Sequence, residues 1–149
     1  MESVNKIHKI RVDIDYIITQ LEEHKKSAES TLALRSCQMA KAWLGKVLEK
    51  LGEESPYKVV SNPSEIPPTA DKAVLTNIYT TNYIEGYLHL VNQLRDAISL
   101  VIKDLAQPSI HNSFVTGNLV EYSFMHLTEA RFWLGFELAN IRENKIKYQ

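Results

Sequence analysis

A chain of 149 residues with 44% hydrophobic and 23% charged content has the make-up of one ordinary globular domain, or of two small ones sharing a core. Seventeen basic residues against 18 acidic ones leave a formal net charge of −1, which argues against a coat for polymeric nucleic acid or a polybasic membrane binder. A small anionic ligand is still allowed, because it needs only a local cluster. The single cysteine, Cys37, excludes an intramolecular disulfide and fits a reducing compartment. Residues 1–11 are polar, and no stretch approaches the ~18 apolar residues of a membrane span, so the expected location is the cytoplasm.

In chain order, Ile7, Ile10, Ile14, Ile17 and Leu21 alternate steps of three and four and predict a helix from about Val4 to Lys26. His24, Lys25, Lys26 and Ser27 form its C-terminal end and a short turn, where cations suit the helix dipole. A second helix is expected from about Ser30, as N-cap, to Leu51, with Gly52 as its stop. Its seam is Ala33, Cys37, Ala40, Leu44, Val47 and Leu51, whose small members suit close approach of the first helix. Cys37 lies on that apolar face and reads as a buried hydrophobe rather than a reactive thiol.

Glu53 to Asp71 holds Pro56, Pro63, Pro67 and Pro68 and reads as an extended connector. Thr69 or Asp71 starts a less regular helical stretch, and Tyr57-Lys58-Val59-Val60 carries a weak strand signal. Ile84, Val91, Ile98 and Leu105 recur every seven residues and predict a third helix from about Tyr83 to Ala106, ended by Pro108. Ser109 to Asn118 reads as a loop with a Thr116-Gly117-Asn118 turn. A fourth helix is expected from about Leu119 to Lys145, with Leu127, Leu134, Leu138 and Ile141 inside.

These helices repeat. Ala40-Lys41-Ala42-Trp43-Leu44-Gly45 returns 90 residues later as Ala130-Arg131-Phe132-Trp133-Leu134-Gly135, and both tryptophans of the chain fall in this element. Ile7, Ile10, Ile14, Ile17, Ile18 and Leu21 return 84 residues later as Val91, Leu94, Ile98, Val101, Ile102 and Leu105. The six-residue difference falls in the second loop, where length changes are easiest to absorb. The expected fold is therefore all-α: two tandem antiparallel helical hairpins with four main helices, joined by a Pro-rich linker. Hairpin one covers 1–52, the linker with a short helical segment 53–83, and hairpin two 84–149.

Catalytic patterns are absent from the sequence. His8, His24, His89, His111 and His126 form no HExxH or HxxxH pair and have no cysteine partner, so no metal is expected. No G-x-S-x-G, P-loop or G-x-G-x-x-G occurs. A metal-dependent nucleotide hydrolase needs facing carboxylates spaced three or four apart, whereas Glu22-Glu23 and Glu53-Glu54 are adjacent pairs at helix ends. Trp43 and Trp133 each sit one residue off the seam. They read either as packing against another hairpin or subunit, or as platforms for a nucleobase.

The segment Leu32-Ala33-Leu34, five residues, Ala40, two residues, Trp43, preceded by the small polar Thr31, resembles the hairpin domain shared by phage anti-CBASS and anti-Thoeris sponge proteins. The second half is similar at Leu127, Glu129, Ala130 and Trp133, with Tyr122-Ser123-Phe124 in place of Leu-Ala-Leu. The resemblance implies a protein that is not an enzyme and needs no cofactor. It implies binding of cyclic oligonucleotides or cyclic ADP-ribose isomers made by bacterial immune systems, in homo-oligomers with pockets between subunits, in the host bacterial cytoplasm.

Such a ligand calls for a few cations or N–H donors and flat side chains. The candidates near the loops are Lys25, Lys26 and Arg35 in the first half, and His111, Asn112, Thr116 and Asn118 in the second. Tyr57 beside Lys58 offers an aromatic next to a cation. The family's ligand-contacting aromatic lies in an N-terminal segment with no counterpart in these residues. The alternative is a structural or regulatory helical protein that binds itself or a partner protein through its seams.

Overall fold

The computed structural model describes residues 2–53, 56, 83–111 and 117–143. Helix α1 is Glu2–His24, α2 is Ala28–Lys50, α3 is Tyr83–Leu105, α4 is the single turn Pro108–His111, and α5 is Gly117–Arg142. The fold is all-α, and the described residues contain no strand. Most of the Pro-rich connector, the helical stretch expected from Thr69 or Asp71, and the strand signal at 57–60 lie outside the described residues.

Several boundaries differ from the sequence expectation for local reasons. The N-cap of α2 is Ser27, not Ser30. The Ser27 hydroxyl accepts from the Ser30 N–H at 3.2 Å, and the Ser30 hydroxyl accepts from the Ser27 N–H at 3.0 Å, closing a capping box. Both serines have cap chemistry, and a tertiary bond from Ser27 decides between them, as described below. At the other end, Gly52 takes φ +85°, the Gly52 N–H donates to Glu49 O at 3.1 Å, and the Glu53 N–H reaches back to Leu48 O at 3.0 Å. That is a Schellman stop, for which glycine is the natural residue.

Pro108 does end α3, but it also opens α4, since a proline at the first helical position loses no bond. α4 exists to place Ile110, which is buried against the core. Gly117 and Asn118 form the first turn of α5 rather than a reverse turn. Burial of Val120 in the core draws that turn into helix.

α1 and α2 run antiparallel: Lys41 Nζ meets Asp15 Oδ1 at 2.6 Å, and Arg11 Nε donates to Lys41 O at 3.3 Å. α3 returns along α5, with Tyr87 beside Glu137 and Arg95 against Gly135. The broadest helix contact is between α2 and α5. They too are antiparallel, as Ser27 with Glu137, Ala40 with Ser123 and Trp43 with Tyr122 define. The small residues Ala33, Cys37 and Ala40 therefore serve α5 more than α1. Their size signals close approach but does not name the partner.

The repeat is visible in burial. Ile7 and Val91, Ile10 and Leu94, Ile14 and Ile98, Ile17 and Val101, Leu21 and Leu105 are all core residues. So are Ala40 and Ala130, Leu44 and Leu134, Leu48 and Leu138. The register of α2 on α5 puts Cys37 opposite Leu127, its own counterpart, so a local pseudo-twofold axis passes there. All five helices contribute to one hydrophobic cluster.

Cys37 lies at the centre of that cluster and its thiol is pushed up to about 12 by burial. Native protein is expected to leave Cys37 unlabelled by a thiol reagent, with labelling following global unfolding in denaturant. Because folding holds the thiol neutral, its contribution to stability is intact below pH 9 and is lost as the pH rises from 9 toward about 12. Fast labelling of folded protein at neutral pH is the contrary result.

Candidate functional site

The turn between α1 and α2 carries the first group of candidates. Lys25 is exposed and its ammonium donates to Glu22 O at 3.3 Å, finishing α1. Lys26 is half-buried, and its N–H donates to the Ser30 hydroxyl at 3.0 Å. Arg35 is exposed on α2, eight residues or ~12 Å beyond the cap. The first turn of α2 is a place where an anion is favoured, and the protein supplies one itself.

Glu137 of α5, fully buried, accepts from the Ser27 hydroxyl at 2.5 Å, the Tyr87 hydroxyl at 2.6 Å and Asn140 Nδ2 at 3.2 Å. Burial, then the bond to Glu137, pushes the Tyr87 phenol above its ordinary value. This network joins the start of α2, the start of α3 and the last third of α5. Sequence reasoning missed it, although one signal was present: Glu137 occupies the seam position that is Val47 in the first copy.

The second group of candidates is at the far end of the bundle. Asn118 is exposed in the first turn of α5. In the α2–α5 register it lies level with about residue 46, ~30 Å from Lys26. His111 closes α4, and its side chain is outside the described residues, as are Asn112, Thr116, Tyr57 and Lys58. The structure thus places Lys25 and Lys26 at one end of the bundle, with Arg35 farther along the α2 surface, and sets Asn118 at the opposite end.

Two further features were not singled out from sequence. Arg11, almost wholly buried, donates to Pro56 O at 2.8 Å as well as to Lys41 O, fastening the start of the connector to the first hairpin. It borders an open cleft of about 380 Å³ with Asp15, Ile18, Glu22, Gln38 and Lys41. The signal was its recurrence at the 84-residue offset as Arg95.

The second feature is the outer side of α5. Tyr122, Met125, Phe132 and Phe136 are exposed on the face turned away from the core seam. Trp43 packs on the Tyr122 ring with centroids 4.9 Å apart, while Trp133 lies 5.9 Å from Phe136. Both tryptophans are half-buried flanks of the α2–α5 contact.

Among the described residues no group of three or more His, Cys, Asp or Glu side chains could hold a metal ion. No described helix is long and apolar enough to cross a membrane. The described residues define an all-α bundle of helical hairpins with a cationic α1–α2 turn and an aromatic outer face on α5. No family model matches the chain, and neither a curated protein nor a solved structure matches it.

Proposed function

We propose that this protein is a non-catalytic sponge that binds and sequesters a small anionic cyclic nucleotide, either a cyclic oligonucleotide or a cyclic ADP-ribose-type signal, and so antagonises a bacterial anti-phage defence in the host cytoplasm. The observation that carries this reading is the tryptophan-bearing hairpin, which resembles the sponge hairpin through Leu32–Trp43 and is present twice with matched core positions. Sequestration needs a closed, tight site and no general acid or base. Homo-oligomerisation fits the reading, with ligand held where copies meet.

Thermal denaturation with a panel of cyclic di- and trinucleotides and cyclic ADP-ribose isomers tests it. A ligand at 100 times its Kd adds ~2.7 kcal/mol of stability, and it is recovered intact after heat denaturation. Lys25→Glu with Lys26→Glu keeps the fold and weakens capture if the first turn belongs to the site. A flat response across the panel overturns the sponge, and recovery of cleaved ligand overturns the absence of catalysis. A second reading, a structural or regulatory bundle that associates with itself, is favoured by the exposed Tyr122, Met125, Phe132 and Phe136 stripe. Concentration-dependent assembly without ligand response is its signature.

A further inference from the structure

The two hairpins differ in the charges set between their helices. Between α1 and α2, the Asp15 carboxylate neutralises Lys41 at 2.6 Å, and Arg11 is spent on two carbonyls. At the repeat offsets, the groove between α3 and α5 has Arg95 for Arg11, Arg131 for Lys41, and Ser99 for Asp15. Both cations are kept, and the carboxylate has become a hydroxyl.

Arg95 is half-buried, with its guanidinium 3.7–3.9 Å from where a Cβ on Gly135 would sit. Its buried Nε has no acceptor, whereas Arg11 Nε holds Lys41 O. Arg131 precedes Gly135 by one helical turn on the same side of α5, and Ser99 follows Arg95 by one turn on α3. The Ser99 hydroxyl donates to Arg95 O at 3.1 Å.

Among the described residues neither arginine is in an ion pair. The nearby acids do not serve them: Glu129 faces His126 at 3.5 Å, and Asp96 is exposed about 100° around α3 from Arg95. Phe132, one turn before the Gly135 against which Arg95 lies, is 62% exposed and is held edge-on by Phe136 at 4.8 Å.

A buried guanidinium N–H without an acceptor is costly, and two guanidinium groups without a carboxylate suit a doubly charged oxyanion held in fork geometry. An exposed aromatic ring beside that pair suits a flat base. We propose that the α3–α5 groove binds the phosphate of a nucleotide, with Arg95 and Arg131 holding the phosphate oxygens and Phe132 stacking the base. The groove is a site apart from the first turn, and the inference rests on the sponge reading for the class of natural ligand.

The test uses the full chain and AMP as probe, with adenosine and inorganic phosphate as separate arms, followed by NMR of the arginine Nε–H and aromatic signals. AMP is expected to shift Arg95 Nε–H and the Phe132 ring, and phosphate the arginine alone. Ser99→Asp, which restores the first hairpin's carboxylate, and the surface change Arg131→Gln each weaken AMP by about tenfold or more. Phe132→Leu weakens AMP but not phosphate.

An Arg95 signal unmoved by saturating AMP overturns the proposal, as does unchanged AMP affinity in folded Arg131→Gln. If a cyclic nucleotide stabilises the chain while Ser99→Asp and Arg131→Gln bind it as well as the parent, the groove is wrong and the sponge stands. If the panel fails while AMP still titrates Arg95, the sponge is wrong and the groove stands.

Discussion

Glu137→Ala lowers the unfolding free energy by about 3–5 kcal/mol, read as a fall in the urea midpoint by circular dichroism. The carboxylate is fully buried and accepts from Ser27, Tyr87 and Asn140. Truncation strands the Ser27 and Tyr87 hydroxyls in the interior, each at about 1–3 kcal/mol, and opens a cavity. Tyr87→Phe removes one donor and leaves the carboxylate two others, so it costs only about 1–2 kcal/mol. The double variant costs less than the two single losses together, because they share one network. A loss below about 1 kcal/mol in Glu137→Ala refutes the account of this network as a structural joint.

Leu44→Ala and Leu134→Ala each cost about 3 kcal/mol and shift one cooperative transition. Both leucines are fully buried at equivalent seam positions and belong to one cluster. In the α2–α5 register they lie ~20 Å apart along the bundle, so their effects add. Trp133→Phe leaves Trp43 as a reporter on α2 at its Tyr122 contact, and Trp43→Phe leaves Trp133 as a reporter on α5 beside Phe136. In either Leu→Ala background the two reporters are expected to give the same midpoint. Separate midpoints mean that the hairpins unfold independently, against the shared core.

The helices were legible in the sequence because 3–4 spacing and the two repeat offsets constrain each other. A false seam in one copy has no reason to recur in the other, and residues such as Ile14 with Ile98 and Leu44 with Leu134 are buried together. What stayed hidden depends on contacts distant along the chain. Ser27 wins the cap over Ser30 with the help of a residue 110 positions away. The small residues of α2 do not say that α5 fills the space.

The candidate site was legible only as residue types. Lys25, Lys26, Arg35 and Asn118 are set along the bundle by the antiparallel register of α2 on α5, which no local pattern encodes. Arg11 and Arg95 lie off the hydrophobic seams, so a search for apolar periodicity passes over them. Only an alignment of one half on the other shows that Asp15 has become Ser99.

The off-centre position of the Glu137 network also governs which hairpins can mate. Across the pseudo-twofold neither the acceptor nor the serine donor recurs, with Val47 for Glu137 and Gly117 for Ser27. Two first hairpins brought together would set serines against valine and leave the cap without its acceptor. Two second hairpins would keep Tyr87 and Asn140 on the carboxylate but set Gly117 where Ser27 belongs, leaving it one donor short, at a cost of about 1–3 kcal/mol. Only the unlike combination satisfies both ends, so the duplicated halves are held to heterotypic mating even where many copies of the chain are crowded together.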